Sequence, residues 1–332
     1  MLLAMSQTRP KVVVIGGGTG SFTLLSALKQ HDVDLTALVN MADNGGSSGL
    51  LRDELGVLPP GDIRQCLVAL STAPEELREL FNYRFPEGTF GGHSFGNLFI
   101  SAVESMTSNF NDAVRIAGDV LRIQGQVLPM TTTDCNLVLT IGKKKIIGEY
   151  KIAYSDFGLK GRPQLSLTPK ASITDKAKSA ILEADLVLIA PGNLYGSLAP
   201  VLLVEGVGRA LNDTKAKVAF ICNLVNKPNH TRDFKVTDYV EEIERFASLP
   251  IIDYVLYNND EPEAELLSKY ALEQEFPVIV NLSGLKNASY QAIGGKYLSR
   301  SMVKRDKNDK FIKRSLIRHD TETIAKSIIK LL

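Results

Sequence analysis

The chain has 332 residues, a length that suits one large or two ordinary domains. Hydrophobic residues make up 44% and charged residues 23%, which is the balance of a globular protein. The formal net charge of +1 gives no electrostatic reason to expect a nucleic-acid or membrane partner.

The cysteines and the apolar runs indicate the cellular compartment in which this protein works. Cys66, Cys135 and Cys222 are scattered and form no CxxC pair, which argues against disulfides and a zinc site and favours a reducing compartment. The apolar start Met1–Ala4 is too short for the core of a signal peptide. A Pro-Gly turn breaks the longest apolar run, Leu186–Val204. We therefore expect a cytoplasmic protein with no zinc or haem.

The first elements predict the start of a doubly wound α/β sheet. Lys11–Ile15 has the short β-branched pattern of a buried strand, Ser21–Lys29 has helical spacing, and Val33–Val39 alternates as a second strand. Helices are predicted next over Ile63–Leu70, Glu75–Arg84, Phe95–Met106 and Asp112–Ile123.

The segment 125–170 has a different pattern and predicts an antiparallel β-rich insertion. It contains Val127-Leu128, the strands Asn136–Ile141 and Lys145–Tyr150, and a loop or edge strand over Gly158–Pro169. Afterwards helices and strands alternate again, over Asp175–Glu183, Leu186–Ala190, Leu198–Leu211, Val218–Cys222, Val236–Ala247, Tyr254–Tyr257, Glu263–Leu272, Val278–Val280 and Thr321–Leu332. We expect one discontinuous domain over 11–332. Its predicted fold is α/β and Rossmann-like, a doubly wound, mainly parallel sheet with a small antiparallel β insertion and several extra helices.

A glycine-rich loop follows the first strand and consists of Gly16, Gly17, Gly18, Thr19 and Gly20. Backbone N–H groups at such a turn bind phosphate, although a tight turn can also need glycine for packing alone. Ser21 stands where the dinucleotide fingerprint has its last glycine, and the second strand ends without the acid that binds ribose. No Gly-Lys-Ser/Thr follows either. NAD binding and ATP hydrolysis are both disfavoured.

A second loop contains Asp43, Asn44, Gly45, Gly46 and Ser47, and its composition predicts a phosphate-binding nest or a mobile lid. The third loop, 59–64, contains Asp62. Asp62 could form a capping box with Gln65, and its carboxylate could also reach a metal-bound water. Arg52 and Arg64 could bind phosphate, or they could pair with Asp53 or Glu54.

Several polar residues follow later strands or open helices. His93 and Asn97 flank the start of a predicted helix, where His93 could contact a ligand or simply pack. Strand ends carry Asn193, Asn223, Asn258 and Asn259, and Asn193 could instead cap a helix. The convergence of amide side chains at one edge of the sheet favours a binding site for a polar ligand. The basic segment 304–314 is interrupted by acids and predicts a solvated hairpin rather than a nucleic-acid site.

Taken together, these loops resemble those of the gluconeogenesis factor family (YvcK-like), within the CofD-like superfamily of 2-phospholactate transferases. The matching segments are 16–20, 42–49, 59–64, 92–97, 123–129, 190–195, 222–224 and 317–320, which includes Arg318 and His319. They occur in the same order over nearly the whole chain. Asn44 stands where the family often has a second aspartate.

The resemblance implies a Rossmann-like site for UDP-N-acetylglucosamine or a related UDP-sugar, and a role in cell shape and carbon flow on gluconeogenic carbon. In the transferase branch, a phospholactyl group passes from a guanosine diphosphate adduct to a deazaflavin alcohol with magnesium. Asp43 and Asp62 match the acidic positions expected to hold that metal. The ligand-binding residues expected are the glycine loop, Asp43–Ser47, His93, Asn97, Gly192, Asn193, Leu194, Asn223 and Arg318.

Two function classes therefore stay open. One is a non-catalytic nucleotide-sugar sensor, and the other is a magnesium-dependent transferase. Apolar helix faces leave room for a homodimer, while the regulatory protein partner of a sensor is not identifiable from sequence.

Overall fold

The computed structural model describes residues 9–157, 162–300 and 316–332. The strands are β1 Lys11–Gly16, β2 Asp34–Val39, β3 Gln126–Pro129, β4 Asn136–Ile141, β5 Lys144–Ile147, β6 Gln164–Thr168, β7 Leu186–Ile189, β8 Lys217–Ile221, β9 Tyr254–Asn258 and β10 Gln291–Gly295. Seven of them form a parallel sheet in the order β10-β9-β8-β7-β1-β2-β3. The other three form an antiparallel sheet in the order β5-β4-β6. The predicted Rossmann-like α/β class with a small antiparallel sheet is confirmed.

The helices pack on both sides of the parallel sheet. They are α1 Gly18–Leu28, α2 Gly46–Leu55, α3 Gly61–Leu70, α4 Glu75–Asn82, α5 Phe95–Thr107, α6 Phe110–Leu121, α7 Glu149–Ala153, α8 Asp175–Leu182, α9 Ala199–Leu202, α10 Val207–Asp213, α11 Val236–Ala247, α12 Ala264–Leu272, α13 Leu282–Lys286 and α14 Thr321–Ile329. A π-helical turn, Leu194–Leu198, precedes α9.

Strand β1 lies beside the central strand β7, and the sheet separates two hydrophobic cores. Successive strand side chains point to opposite faces. Val13 and Ile15 therefore join the core that contains α8 to α11, and Val12 and Val14 join the core that contains α1, α3 and α14. The chain proceeds from β1 to β2 on one side and later returns to β7 on the other. Ligands bind at such a switch point in open α/β sheets, beyond the carboxyl ends of the strands.

The predicted β-rich segment needs a correction. β3 pairs with β2 and belongs to the parallel sheet, so the antiparallel sheet uses only strands within 136–168. The predicted strand Lys145–Tyr150 ends at Ile147, because Gly148 has a φ of 102° and is the N-cap residue of α7. The small sheet packs its apolar side chains, such as Leu137 and Leu167, into the core shared with β1.

Other predicted elements also change. The 43–49 segment was predicted to form a nest or a lid, but its second half is helical, since α2 begins at Gly46. The predicted helix 198–211 is divided, with Gly206 at a φ of 93° before α10. The predicted strand Val278–Val280 makes only an isolated pairing of Ile279 with Lys235. Sequence reasoning missed α2, α7, α13 and β10. The predicted basic hairpin over 304–314 lies outside the described residues.

Candidate functional site

The predicted polar segments meet at the carboxyl edge of the parallel sheet. The glycine loop follows β1, Asp43 follows β2, and Gly192 to Leu194 follow β7. Asn223 follows β8, and Asn258 ends β9. Because these strands are parallel and adjacent, their ends form one continuous polar border.

The glycine loop is in contact with Asp62. A Cβ atom at Gly17 would lie 2.0 Å from Asp62 Oδ2, and the Gly18 N–H donates a hydrogen bond to the Asp62 carboxylate. A Cβ at Gly20 would lie 1.6 Å from the carbonyl oxygen of Pro191. At Gly17 and Gly20, close packing therefore requires glycine, because a Cβ atom would collide with a neighbouring oxygen. Thr19, in the first turn of α1, is exposed.

The predicted capping box of Asp62 is wrong. α3 begins at Gly61 after Pro60, and no side chain caps it. Asp62 lies within the first turn and directs its carboxylate to α1 instead. Burial and the neighbouring Asp43 carboxylate raise the pKa of Asp62 to about 7, although the Gly18 N–H and the charge of Arg64 both act to lower it.

Asp43 stands at the entrance to α2. Its Oδ1 accepts the Gly45 N–H at 2.9 Å, and its carboxylate accepts a hydrogen bond from the Ser48 hydroxyl. Burial nevertheless raises the pKa of Asp43. Gly46, with a φ of 46°, starts the helix that Asp43 precedes.

Glu149 is a third carboxyl group, half-buried like Asp43 and Asp62, that sequence reasoning missed. α7 carries it from the antiparallel insertion, and a Cβ at Gly196 would lie 2.4 Å from its Oε1. Burial, followed by the charges of Asp43 and Asp62, raises the pKa of Glu149 to about 8. No local pattern marks this residue, because its neighbours in space come from distant parts of the chain. Within the described ranges no group of three or more His, Cys, Asp or Glu side chains is arranged to hold a metal ion.

Asn44 connects the second loop to the insertion. Its Oδ1 accepts the Tyr150 N–H at 2.9 Å, so the side chain is engaged by the first turn of α7. A Cβ at Gly148 would lie 2.4 Å from Asn44 Nδ2. This contact fixes α7, and with it Glu149, beside the loop that carries Asp43.

His93 and Asn97 both form hydrogen bonds with the Ser47 hydroxyl. His93 Nδ1 and Ser47 Oγ are 3.1 Å apart, and Asn97 Nδ2 donates to the same hydroxyl at 3.1 Å. Arg64 Nε donates to Asn97 Oδ1 at 2.9 Å. All four side chains are buried. Arg52 pairs with Asp134 at 2.5 Å, which is neither of its two predicted partners.

The amides beyond β7 and β8 have different roles. Asn193 caps the π-helical turn by accepting the N–H groups of Tyr195 at 3.2 Å and Gly196 at 3.0 Å, so its capping interpretation is confirmed. Leu194 is buried in the core. Asn223 Nδ2 donates to the Gly192 carbonyl at 2.8 Å. Its Oδ1 is buried and has no hydrogen-bond partner in the part of the chain that the structure describes.

The segment with Arg318 and His319 lies against the end of β8. His319 Nε2 donates to the Cys222 carbonyl at 3.1 Å, and burial lowers the pKa of His319 to about 4, so the imidazole is neutral. The Arg318 carbonyl accepts the Ser299 N–H at 2.9 Å. His319 thus contacts Cys222, the residue before Asn223.

A cavity of about 880 Å³ opens at the ends of β8 and β9. Its walls come from these strand ends, from α12 and from the segment 276–282, and they include Asn223, Tyr257, Asn259 and Phe276. Cavities of this volume accommodate ligands of cofactor size. The Asn258 side chain is engaged within the wall, where its Oδ1 accepts the Tyr297 N–H at 3.0 Å.

Across the described ranges, no helix combines the length and the apolar character needed to cross a membrane.

The sequence matches the family described as "2-phospho-L-lactate transferase CofD" over residues 12–298. It is 36% identical over 327 residues to a Bacillus subtilis protein named "Gluconeogenesis factor", covering 98% of each chain. A Listeria monocytogenes protein of the same name is 34% identical over 330 residues, covering 98% of this chain and 97% of the relative. The crystal structure of a Bacillus halodurans UPF0052 family protein superimposes with a TM-score of 0.86 at 32% identity, covering 97% of this chain and 99% of that one.

Proposed function

We propose that this chain, which belongs to the 2-phospho-L-lactate transferase CofD family, is a cytoplasmic nucleotide-sugar-binding regulator of the gluconeogenesis-factor type. Relatives that share nearly its full length carry that name. The ligand class we propose is a UDP-sugar such as UDP-N-acetylglucosamine, and the process is morphogenesis on gluconeogenic carbon.

The observation that carries this proposal is the unpaired Asn223 oxygen at the border of the 880 Å³ cavity. Leaving a buried acceptor without a donor costs about 1–3 kcal/mol, so a ligand that brings an N–H or O–H group here gains that energy. Because Asn223 Nδ2 is held by Gly192, the Oδ1 atom has a fixed direction. A nucleobase imide or a sugar hydroxyl supplies such a donor, and Tyr257 and Phe276 offer aromatic surface for stacking.

The diphosphate of such a ligand would lie along the glycine loop, between the cavity and Asp43. There it would meet the Asp62 carboxyl group, which already accepts the Gly18 N–H. Two negative groups in contact require a proton or a cation between them. Asp43 and Asp62 fit magnesium, because Mg²⁺ binds in proteins through one or two carboxylates together with substrate phosphates. In that arrangement these two residues would hold the ion and the ion would screen the diphosphate charge.

The test is calorimetric titration of the chain with UDP-N-acetylglucosamine, UDP, GDP and NAD, each with and without magnesium. We expect saturable binding of the UDP-sugar and no product after long incubation. Asn223→Ala is expected to weaken binding about tenfold or more, whereas Asn212→Ala, at an exposed helical position, leaves it unchanged. Product formation, or equal affinities for all four ligands, would contradict the proposal.

The second candidate is a magnesium-dependent transferase of the 2-phospho-L-lactate type. The match to the transferase family and the closely placed Asp43, Asp62 and Glu149 carboxyl groups favour it. Raised pKa values in carboxyl groups at a cleft are typical of acid–base sites. Binding of GDP that depends on magnesium and is lost in Asp43→Asn would support this candidate. If Asp43→Asn leaves metal-dependent affinity unchanged, the metal role of Asp43 is wrong.

A further inference from the structure

An exposed pair of tyrosine rings borders the carboxyl groups of the candidate site. Tyr150 lies in α7 and Tyr154 directly follows this helix, so the two residues are one helical turn apart. Their ring centroids are 4.8 Å apart, and the residues are 51% and 74% exposed. Single exposed aromatic rings are common on protein surfaces and need no explanation. The contacts of Tyr150 distinguish it from such a ring.

Tyr150 is held against the second loop, beside Asp43. A Cβ atom at Gly45 would lie 3.4 Å from the ring carbon Cδ2 of Tyr150, and the Gly45 N–H is the group that donates to Asp43 Oδ1 at 2.9 Å. The Tyr150 N–H donates to Asn44 Oδ1, also at 2.9 Å. Because contacts on one side hold both the backbone and the ring, a ligand that covers the exposed side of the ring orders few additional bonds.

Glu149, the residue before Tyr150, adds a polar group beside the ring. It is half-buried, and a Cβ atom at Gly196 would lie 2.4 Å from its Oε1. A carboxyl group accepts hydrogen bonds from hydroxyl groups, and a protonated one also donates. A pyranose ring has C–H groups on its faces and hydroxyl groups around its edge. An aromatic ring beside a carboxyl group is therefore suited to both parts of such a sugar.

The groups along the sheet edge follow the same order as the parts of a nucleotide sugar. The proposed function places the base in the 880 Å³ cavity beyond β8 and β9, and the diphosphate along the glycine loop after β1. The terminal sugar is attached to the far end of the diphosphate, so it continues toward the next strand, β2. Three strand spacings, about 14 Å in all, separate β8 from β2. Asp43 and Tyr150 lie together beyond β2.

We propose that Tyr150 determines the preference of this site for a nucleotide sugar over the bare nucleoside diphosphate, by packing its ring against one face of the terminal sugar. Glu149 forms a hydrogen bond with a hydroxyl group at the edge of the same sugar. This inference rests on the proposed function, because the positions of the base and the diphosphate come from it. It adds the residues that contact the terminal sugar.

Calorimetric titration with UDP-N-acetylglucosamine and with UDP, in buffer that contains magnesium, tests this assignment. We expect Tyr150→Ala to raise the Kd for UDP-N-acetylglucosamine about tenfold, because the contact with the sugar face is lost. Its Kd for UDP should be unchanged, since UDP lacks the terminal sugar. Tyr150→Phe keeps the ring and should bind both ligands like the parent. Lys151→Ala, at the next exposed position of α7, is the matched control and should also behave like the parent.

Four results would overturn the role of Tyr150. The first two are an unchanged Kd for UDP-N-acetylglucosamine in Tyr150→Ala and an equal loss of affinity for UDP and for the UDP-sugar. The other two are a loss in Tyr150→Phe or in Lys151→Ala that is as large as the loss in Tyr150→Ala. If Tyr150→Ala does not fold, Tyr150→Leu provides the comparison, because it keeps an apolar side chain but loses the planar ring. It should then lose affinity for the UDP-sugar alone.

The parent protein tests the proposed function separately. If it binds neither UDP-N-acetylglucosamine nor UDP, the proposed function is wrong and the sugar contact is wrong with it. If it binds both ligands and Tyr150→Ala affects neither, the proposed function stands and only the role of Tyr150 is wrong.

Discussion

Replacement of the half-buried Asp62 by asparagine is expected to stabilise this protein at alkaline pH. The folded environment raises the pKa of Asp62 from an ordinary value near 3.8 to about 7. The folded chain therefore binds this proton more tightly than the unfolded chain does. The resulting stabilisation is complete below about pH 4, declines as the pH rises, and is lost above about pH 7.

The magnitude follows from the size of the shift. A displacement of roughly three pKa units corresponds to about 4 kcal/mol, at 1.36 kcal/mol per unit. Asparagine has the same shape, stays neutral and can still accept the Gly18 N–H. Asp62→Asn should therefore exceed the parent protein in free energy of unfolding by about 4 kcal/mol at pH 8 and by only about 1–2 kcal/mol at pH 5.

Urea unfolding in the presence of a chelator at these two pH values measures the difference directly. Asp53→Asn is the matched control, because Asp53 is exposed on α2 and its replacement should change stability by less than about 0.5 kcal/mol. An advantage of Asp62→Asn that is the same at pH 5 and pH 8, or a loss of stability at pH 8, would refute the reasoning. A confirmed advantage would mean that the site retains this carboxyl group for ligand binding at a cost in stability.

Three further substitutions test other parts of the structure. Gly20→Ala should destabilise the chain by about 2–3 kcal/mol or more in urea unfolding, because its Cβ would lie 1.6 Å from a backbone carbonyl oxygen, whereas Gly192→Ala, with its nearest neighbour at 3.5 Å, should be tolerated. Arg245→Met should cost about 2 kcal/mol, because the fully buried Glu242 carboxylate loses its 2.5 Å partner and keeps only Arg162 at 3.3 Å. Adding Glu242→Leu should recover most of that loss, since Arg162 still pairs with Glu241; no recovery would contradict a charge-based explanation. His319→Gln should reduce acid sensitivity: burial lowers the pKa of this histidine from 6.5 to about 4, so the parent loses about 3 kcal/mol as the pH falls through that window, and an unchanged pH profile would exclude this contribution.

Some of the candidate site could be read from local sequence. A short β-branched run followed by glycines predicted β1, its turn and α1, and amide residues after apolar runs predicted the polar border beyond β7, β8 and β9. These features depend on the period and turn chemistry of neighbouring residues, which a linear sequence displays. Parallel strand order then places their ends along one edge.

α2 shows where local reasoning fails. Its first residues are glycine and serine, which are poor helix formers, so the composition favoured a loop. In the folded chain, the Ser47 hydroxyl bonds with His93 and Asn97, and Leu51 and Arg52 are buried. Tertiary contacts thus override the intrinsic preference.

The sequence by itself determined the α/β class, the glycine turn and the amide-bearing strand ends, because each is encoded within a few neighbouring residues. Only the tertiary structure decided that Asp62 reaches Gly18, that Glu149 joins Asp43 and Asp62, and that Arg64 and Arg84 share a cavity. Those placements depend on how helices and the antiparallel insertion pack against the sheet. Burial and the charges of neighbouring carboxyl groups set the pKa values of these side chains. Their acid–base behaviour therefore depends on the folded structure.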